Sequence, residues 1–522
     1  MTDVPKASEL SEILREMCTQ IAEAAPEGWL RATANGFADK QDVGLAGVSY
    51  RLAASDEHAV EVDLRRGLRQ AYRVSGASEQ GLSIELTVDA SGRFEAVTGL
   101  GVSRLSHPKR GFMYVLKPET LPPNPGDEQE KPVNPTPAGD PEEAVRLLRE
   151  YLGRRAELLC GMLDDPSGIL PAPLPPSRLE EVESRLNVAL PADLRALYGV
   201  ADGDGQVGLF GRMSWWMDTS GVAAVHGGDR HWAPRHWRDR PFAPFRPFVH
   251  DADPPGTVRR SVDRRGWIPF VIGTDGNYLA VDMDPASGGR PGQVIRIGSG
   301  YYHGPTYVAD SVTALLRRYV DALARGDHRI GEDGDLWIDV PEPHKGAGTH
   351  LQTLRVTEDD EANLQLARQA PFLRAVELSR CRSADLTALR EAPVETLDID
   401  LKTIDLAPLA GHPTLRAVTL TTPHPVDLGT LRTLPRLEGL DLSRASTHGI
   451  RAIAELKGLL YLALRYEQWQ ELWAYTDRMP ALAAAFLAGK VPYDKVADWT
   501  AQLNVRIVDR RPTAQQIHHG HR

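Results

Sequence analysis

The chain is 522 residues long, with 42% hydrophobic and 25% charged residues and a net charge of −11 at pH 7. That length predicts about three or four domains; the composition excludes wholesale disorder, and the charge excludes a bulk nucleic-acid binder, which would carry a basic face. No apolar run approaches the ~18 residues that a bilayer span needs, and Met1 to Lys6 hold no basic stretch leading into an apolar one, so neither membrane segment nor signal peptide is expected. Cys18, Cys160 and Cys381 form no zinc spacing and no disulfide framework, which points to a reducing cytoplasm.

Residues 1–120 are expected to form a small α+β domain. Leu10, Ile13, Leu14, Met17, Ile21 and Ala24 recur at helical spacing, and Pro26 to Trp29 end that helix. Val43 to Leu52 reads as a strand, and Leu64, Leu68, Ala71 and Tyr72 mark a second helix. Leu82 to Val88 alternates as a half-buried strand does, then turns through Asp89 to Gly92 into Arg93 to Val97. Ile21, Pro26-Glu27, Trp29, Leu82 to Val88 and Gly92-Arg93-Phe94 give this stretch a resemblance to the YezG-like immunity family. It departs from that family where Thr98-Gly-Leu-Gly replaces an aromatic-acidic pair. The resemblance implies a role in toxin immunity.

Residues 121–140 are rich in proline and polar residues with almost no apolar content, which predicts an extended or mobile, protease-sensitive linker. Asp140, Pro141 and Glu143 then start a helix as a capping box, with Val145, Leu148, Leu152, Leu159 and Leu163 near one face. Cys160 reads there as a small buried hydrophobe, since no histidine is paired with it in sequence.

A middle domain is expected over 141–328. Ser177 and Glu180 start one helix and Pro191 another, ending at Asp202-Gly-Asp-Gly205. Gly266 to Gly273 and Asn277 to Asp282 are strands joined by Thr274-Asp275-Gly276; Gln293 to Ile297 is a third, and Val308 to Ala324 a closing helix. Leu190-Pro191, Leu194, Tyr198, Gly203, Trp267 to Phe270, Asp275-Gly276, Asp282, Asp284-Pro285 and Gly298 resemble the SUKH superfamily of Smi/Knr-type proteins. The resemblance implies an α+β fold with a mixed sheet and a non-enzymatic role, either immunity against polymorphic toxins or regulation of cell-wall synthesis.

Three chemistries are weighed and set aside in this domain. Asp275, Asp282 and Asp284 lack calcium-loop spacing. His226, His231, His236 and His250 with Asp229 lack zinc-site spacing. Gly203, Gly205 and Gly208 have neither the preceding strand nor the long following helix of a dinucleotide site. Trp215, Trp216, Trp232 and Trp237 lie in an insert rich in proline and arginine, where they either line the domain's own core or form an interface.

Six hexads, starting at Leu351, Leu373, Val394, Leu415, Leu437 and Leu459, share the pattern L-x-x-L-x-L at steps of 21 or 22 residues. Over 345–465 this resembles the leucine-rich repeat family, which implies a C-terminal solenoid. Of the asparagine or cysteine that the family places three residues after the hexad, only Cys381 is present, so the polar ladder is expected to be mostly missing. Alternate strand residues should face the concave side, bringing Glu377, Asp398, Asp400 and Asp441 into an acidic zone with Arg355 and Arg465 at its ends. Those acids are either solvated positions or a binding face.

Residues 466–522 are expected to be a helical cap, through Trp469, Trp473 and Leu482 to Leu487, and a frayed tail holding His518, His519 and His521. No P-loop, nucleophile elbow, kinase, zincin or paired-cysteine pattern occurs, so no enzyme and no cofactor or metal is expected. The expected activity is binding a protein partner, a basic toxin domain for instance, through Glu377, Asp398, Asp400, Asp441, Trp215 and Trp216, without nucleic acid or membrane. The alternative is a scaffold or regulator of cellular enzymes.

Overall fold

The computed structural model describes residues 4–38, 43–52, 58–60, 62–75, 82–100, 104–107, 111–117, 120, 122–160, 170–205, 207–210, 214–228, 248–301, 303–331, 336–340, 350–476, 479–489, 491, 493–507 and 516–521. The N-terminal region runs α1 (Val4–Glu23), β1 (Trp29–Ala38), β2 (Val43–Leu52), β3 (His58–Val60), α2 (Arg65–Ser75), β4 (Leu82–Asp89) and β5 (Arg93–Leu100). The strands form an antiparallel sheet in the order β5-β4-β1-β2-β3. Leu10, Leu14, Met17, Cys18 and Ile21 of α1 and Leu68 and Ala71 of α2 share a core with the sheet. Burial pushes the Cys18 thiol up to about 12, so it stays protonated and unreactive.

Sequence reading missed β1, whose buried residues include Ala32, Ala34 and Ala38. Alanine carries little strand preference, and here close helix packing selects small side chains. A Cβ on Gly36 would stand 2.6 Å from Leu68 Cδ1, and one on Gly67 2.5 Å from Met17 Cγ.

The chain then makes a hairpin, β6 (Arg104–His107) and β7 (Gly111–Val115), in the stretch assigned by sequence to the first domain. It lies instead in the sheet of the C-terminal region.

Residues 122–139, irregular apart from a 3-10 turn at Pro125–Glu128, are fastened, which corrects the expectation of a free linker. Arg259 Nη1 donates to the carbonyls of Gly126 and Gln129 at 2.9 and 2.5 Å, and Nη2 to that of Glu130 at 3.3 Å. The Gly126 amide donates to the Arg260 carbonyl at 2.8 Å, and the Val133 amide to that of Ser287 at 3.0 Å. Arg290 reaches the carbonyls of Thr136 and Pro137 at 3.1 and 3.2 Å. A proline-rich strand leaves carbonyls without intrastrand partners, and these arginines supply them.

The middle region runs α3 (Pro141–Leu159), α4 (Pro176–Leu186), α5 (Ala192–Tyr198), β8 (Ser214–Trp216), α6 (Thr219–Gly227), β9 (Trp267–Gly273), β10 (Asn277–Asp282), β11 (Gln293–Gly298), β12 (Thr306–Ala309) and α7 (Val312–Arg325). Asp140 caps α3 by accepting from the Glu143 amide at 3.0 Å, whereas the Glu143 carboxylate turns to Arg146 and Arg317 rather than closing a box. The sheet β12-β11-β10-β9-β8 is antiparallel at every described pairing, not mixed. Pro175, not Ser177, is the N-cap of α4, and Cys160 is the exposed residue ending α3, not a core hydrophobe. A two-stranded hairpin follows, β13 (His328–Ile330) and β14 (Leu336–Ile338).

The C-terminal region repeats one unit. β15 (Thr353–Thr357), β17 (Ala375–Cys381), β19 (Thr396–Leu401), β20 (Ala417–Asp427), β21 (Gly439–His448) and β22 (Tyr461–Arg465) pair in parallel in that order, with 3-10 turns between them; β16 (Glu361–Ala362) and β18 (Ser383–Ala384) pair beside the stack. Leu354, Val376, Leu397, Val418, Leu440 and Leu462 are in one register row and one core. The ladder of turn carbonyls is filled by other residues: Cys381 Sγ lies 3.9 Å from the Val356 carbonyl, Thr422 Oγ1 donates to that of Lys402 at 2.9 Å, and Gln468 Nε2 to those of Leu442 and Ala445 at 3.1 Å. Two of these donors sit one residue to either side of the family position, so the spacing rule overlooked them.

The end of the stack corrects the helical-cap expectation. α8 (Tyr466–Tyr475) and α9 (Tyr493–Ile507) are helices, but β23 (Ala484–Ala488) is a seventh parallel strand beside β22. Its alanine-rich sequence favours helix; pairing with β22 and β7 overrides that. β7 pairs antiparallel with β23, and β6 becomes the last strand at that end of the sheet. The last strand, β24 (Gln516–His521), pairs with β5 of the N-terminal sheet, so this tail is not frayed. Each end of the chain thus completes the other's sheet.

Candidate protein-binding face

The register of the parallel stack sets one row on the face opposite the leucine core: Arg355, Glu377, Asp398, Thr419, Asp441, Ala463 and Phe486, of which Thr419 and Ala463 are buried. Glu377, Asp398 and Asp441 therefore share one row, and Asp400, opposite Thr421, stands in the next row out. All four are half-buried. Arg355 Nε donates to Glu377 Oε2 at 2.8 Å, and the Ser443 amide and hydroxyl donate to Asp441 Oδ1 at 2.9 and 2.6 Å. Burial pushes the Asp441 carboxyl up, and those Ser443 bonds partly restore it. Arg465, expected at the far end of the zone, instead donates to the carbonyls of Ser443 and Ala445 at 2.9 and 3.3 Å.

A second row was missed. Gln352, Arg374, Glu395, Arg416 and Glu438 hold the second position of successive hexads, at the N-terminal edge of the strands. Sequence did carry a signal: charge alternates at a repeat position that the apolar pattern ignores. These residues receive the middle region and its proline-rich strap. The Asp251 amide donates to Gln352 Oε1 at 2.6 Å, and Arg374 Nε and Nη2 to Asp251 Oδ2 at 3.0 and 2.8 Å. Arg260 Nη2 meets Glu395 Oε1 at 2.5 Å, and both are buried. Arg416 Nη2 bonds Glu438 Oε2 at 2.8 Å and the Pro123 carbonyl at 2.5 Å, and Arg436 pairs with Glu128. Beside them His250 Nε2 lies 3.0 Å from Thr353 Oγ1, with its ring stacked 5.2 Å from that of His303. Burial and the neighbouring His303 hold its pKa down to about 4.

The tryptophans split. Trp216 is 2% exposed and leans over Tyr198 with ring centroids 5.2 Å apart, so it belongs to the core and cannot meet a partner. Trp215, half-buried and opposite Ile272, remains at the surface. Trp232, Trp237, His231, His236 and Asp229 lie outside the described residues.

The aspartates of the middle region serve structure. Asp275 accepts from the Asn277 amide in the β9–β10 turn, and Asp284 draws Arg259 and Arg264 together at 3.1 and 2.7 Å. Asp282 is fully buried, accepting from Gln293 Nε2 and the Asp284 amide at 2.9 Å each, and burial pushes its carboxyl up to about 7. Gly203 has a positive φ of 86° where a Cβ would strike the Trp216 carbonyl, so the glycine string builds a turn. Among the described residues no group of three His, Cys, Asp or Glu side chains could hold a metal ion, and no helix is long and apolar enough to cross a membrane.

Comparison with known proteins places a family on the middle region. Its model, the SMI1 / KNR4 family (SUKH-1), matches residues 173–318. A KNR4/SMI1 homolog of Yarrowia lipolytica is 34% identical over 89 residues, 17% of this chain and 12% of that protein. A glucan synthesis regulatory protein of Neurospora crassa is 34% identical over 83 residues, 16% of this chain and 15% of that protein. The chain thus spans well under a fifth of the length of these relatives. The turn at Gly203, the buried Trp267 and Phe270, and the Asp282–Gln293 pair all fall inside the matched segment, and residues 173–318 are a SMI1/KNR4 (SUKH) domain.

Proposed function

We propose that this chain acts by binding another protein and not by catalysis, and that its partner is a basic toxin domain which it neutralises. The observation that carries this reading is the row of Glu377, Asp398 and Asp441 with Asp400 beside it, half-open on the strand face of the stack. Opposite charge steers encounter and acts mostly on association rate. In this reading the stack is a leucine-rich repeat solenoid, whose strand face offers an extended surface. The N-terminal region is a YezG-like module, and the protein works in the cytoplasm. The SUKH domain sits against the edge of that face, and its surface Trp215 is a second contact for the partner.

The test is co-purification of the full chain with the toxin domain encoded beside its gene, followed by association rates at two salt concentrations. A one-to-one complex whose rate falls with salt is expected. Replacing Glu377, Asp398, Asp400 and Asp441 by Gln or Asn should slow association and flatten its salt dependence, and an unchanged rate would sink the acidic-face reading. A second reading is favoured by the Neurospora crassa relative, a glucan synthesis regulatory protein: a regulator that recruits cellular enzymes. Recovery of a cell-wall enzyme in place of a toxin domain would decide for it.

A further inference from the structure

The N-terminal region holds a cleft of about 720 Å³ between α2 and the start of β2, lined by Val43, Arg65, Arg66, Arg69, Gln70 and Arg73. That volume lies in the range of small-ligand sites. Among the described residues, four of the six that line it are arginines and none is acidic. All four are exposed, and among the described residues none of them makes an ion pair. Asp63 is engaged otherwise, accepting from the Arg65 amide at 3.1 Å.

This grouping runs against helix electrostatics. Arg65 and Arg69, and Arg69 and Arg73, are spaced i,i+4, where like charges repel. Several arginines on other helices of this chain are paired, such as Arg146 with Glu143 and Glu150 and Arg178 with Glu181. The chain has acids to spare, 71 against 60 Lys and Arg, yet α2 itself contains none. The helix is also held firmly. Leu68 and Ala71 are buried on its other face, and Gly36 and Gly67 let it seat against the sheet and α1. The cluster is thus presented on a rigid support, with its repulsion unrelieved by any ion pair among the described residues.

We propose that this cleft binds a small anion bearing two or more phosphate groups. Each guanidinium offers a planar fork that pairs bidentately with phosphate oxygens. Arg65 to Arg73 spans about 12 Å along the helix at ~1.5 Å per residue, more than one phosphate covers and enough for a chain of two or three. The net charge of −11 decides against a long polyanion, which would meet repulsion beyond the cleft. A small ligand feels mainly the local arginines. The site is separate from the acidic face and independent of the function proposed above.

Calorimetric titration of the full chain with inorganic tripolyphosphate, ATP and a 20-nucleotide single-stranded DNA tests it. Saturable binding of tripolyphosphate and ATP that weakens with salt is expected. Equal affinities mean that phosphates alone are read; tighter ATP binding means that the cleft also holds the nucleoside. Arg65→Gln with Arg69→Gln and Arg73→Gln should weaken both by at least about tenfold, with the circular dichroism spectrum unchanged because the side chains are exposed. The corresponding Lys variant keeps the charge without the fork and should fall between the two. No saturable binding of either oligophosphate, equal affinity in the Gln variant, or binding of the DNA alone would overturn the proposal.

Discussion

The edge of the parallel stack and the row just inside it are built from the same repeat, yet they treat charge in opposite ways. At the edge, Arg374, Glu395 and Arg416 are matched with Asp251, Arg260 and Glu438 and are largely withdrawn from water. In the row inside, Glu377 and Asp441 are bonded to the stack itself rather than to another region, and the Glu377 side chain is as withdrawn as that of Glu438, each 15% exposed. Two charges withdrawn from water cost several kcal/mol each unless well paired; the Arg374–Asp251 and Glu395–Arg260 pairs join the SUKH domain to the stack, while Arg416–Glu438 lies within the stack and holds the Pro123 carbonyl. The inner row bears part of that cost too, since burial pushes the Asp441 carboxyl up, but its Arg355–Glu377 and Ser443–Asp441 bonds join no second region. Pairing with another region, more than burial or charge, separates architecture from recognition here.

The sharpest way to break this contrast is Arg260→Met, which leaves Glu395 buried without its closest cation. Truncating one partner of a buried pair costs about 3–5 kcal/mol, to be read by urea unfolding of the full chain. Replacing both Arg260 and Glu395 by Met should recover most of the loss. A single variant as stable as the parent would mean that the edge pairs are incidental.

Arg259→Ala tests the strap that the same arginine-rich loop holds. Losing its bonds to Gly126, Gln129 and Glu130 should cost about 2–3 kcal/mol and open residues 122–139 to limited proteolysis, to which the parent should be resistant. Cleavage of the parent at that segment at the same rate would restore the free linker.

His250 gives the contact a pH dependence. Its folded pKa is depressed from 6.5 to about 4, so the unfolded chain takes up the proton first as the pH falls. Stability is therefore fully present above about 6.5 and declines towards pH 4. The groups felt by His250 are His303, Asp251, Arg260 and Arg374. His250→Gln should flatten that part of the profile in thermal melts between pH 7 and 4; an unchanged slope would assign the dependence elsewhere.

The smallest effect on stability should come from the open row. Exchanging Glu377, Asp398, Asp400 and Asp441 for Gln or Asn should shift unfolding by no more than about 1 kcal/mol, while the association rate with a basic partner falls. A large loss of stability would place these acids with the edge pairs.

Much of this was legible before any coordinates. Hexads stepping by 21 or 22 residues placed Leu354, Val376, Leu397 and Leu440 in one core row, and with them Glu377, Asp398 and Asp441 in one outward row. Period-2 alternation cannot shift by one residue without turning the whole apolar set to water, so the apolar pattern also sets the polar face. The SUKH signature located the middle domain for a similar reason: Trp267, Phe270 and Asp282 are buried, and burial constrains residue type.

What tertiary structure alone decided lies where local preference is weak or satisfied from afar. Ala484 to Ala488 becomes a strand because β22 and β7 flank it, against the helical preference of alanine. Trp216 turns inward although its neighbour Trp215 stays at the surface, a choice made by strand register. The proline-rich strap is ordered by arginines more than a hundred residues away in sequence, and β24 finds its partner at β5 across most of the chain. Composition and spacing report what a segment can bury by itself; bonds to distant carbonyls and strand edges exist only once the whole chain has folded.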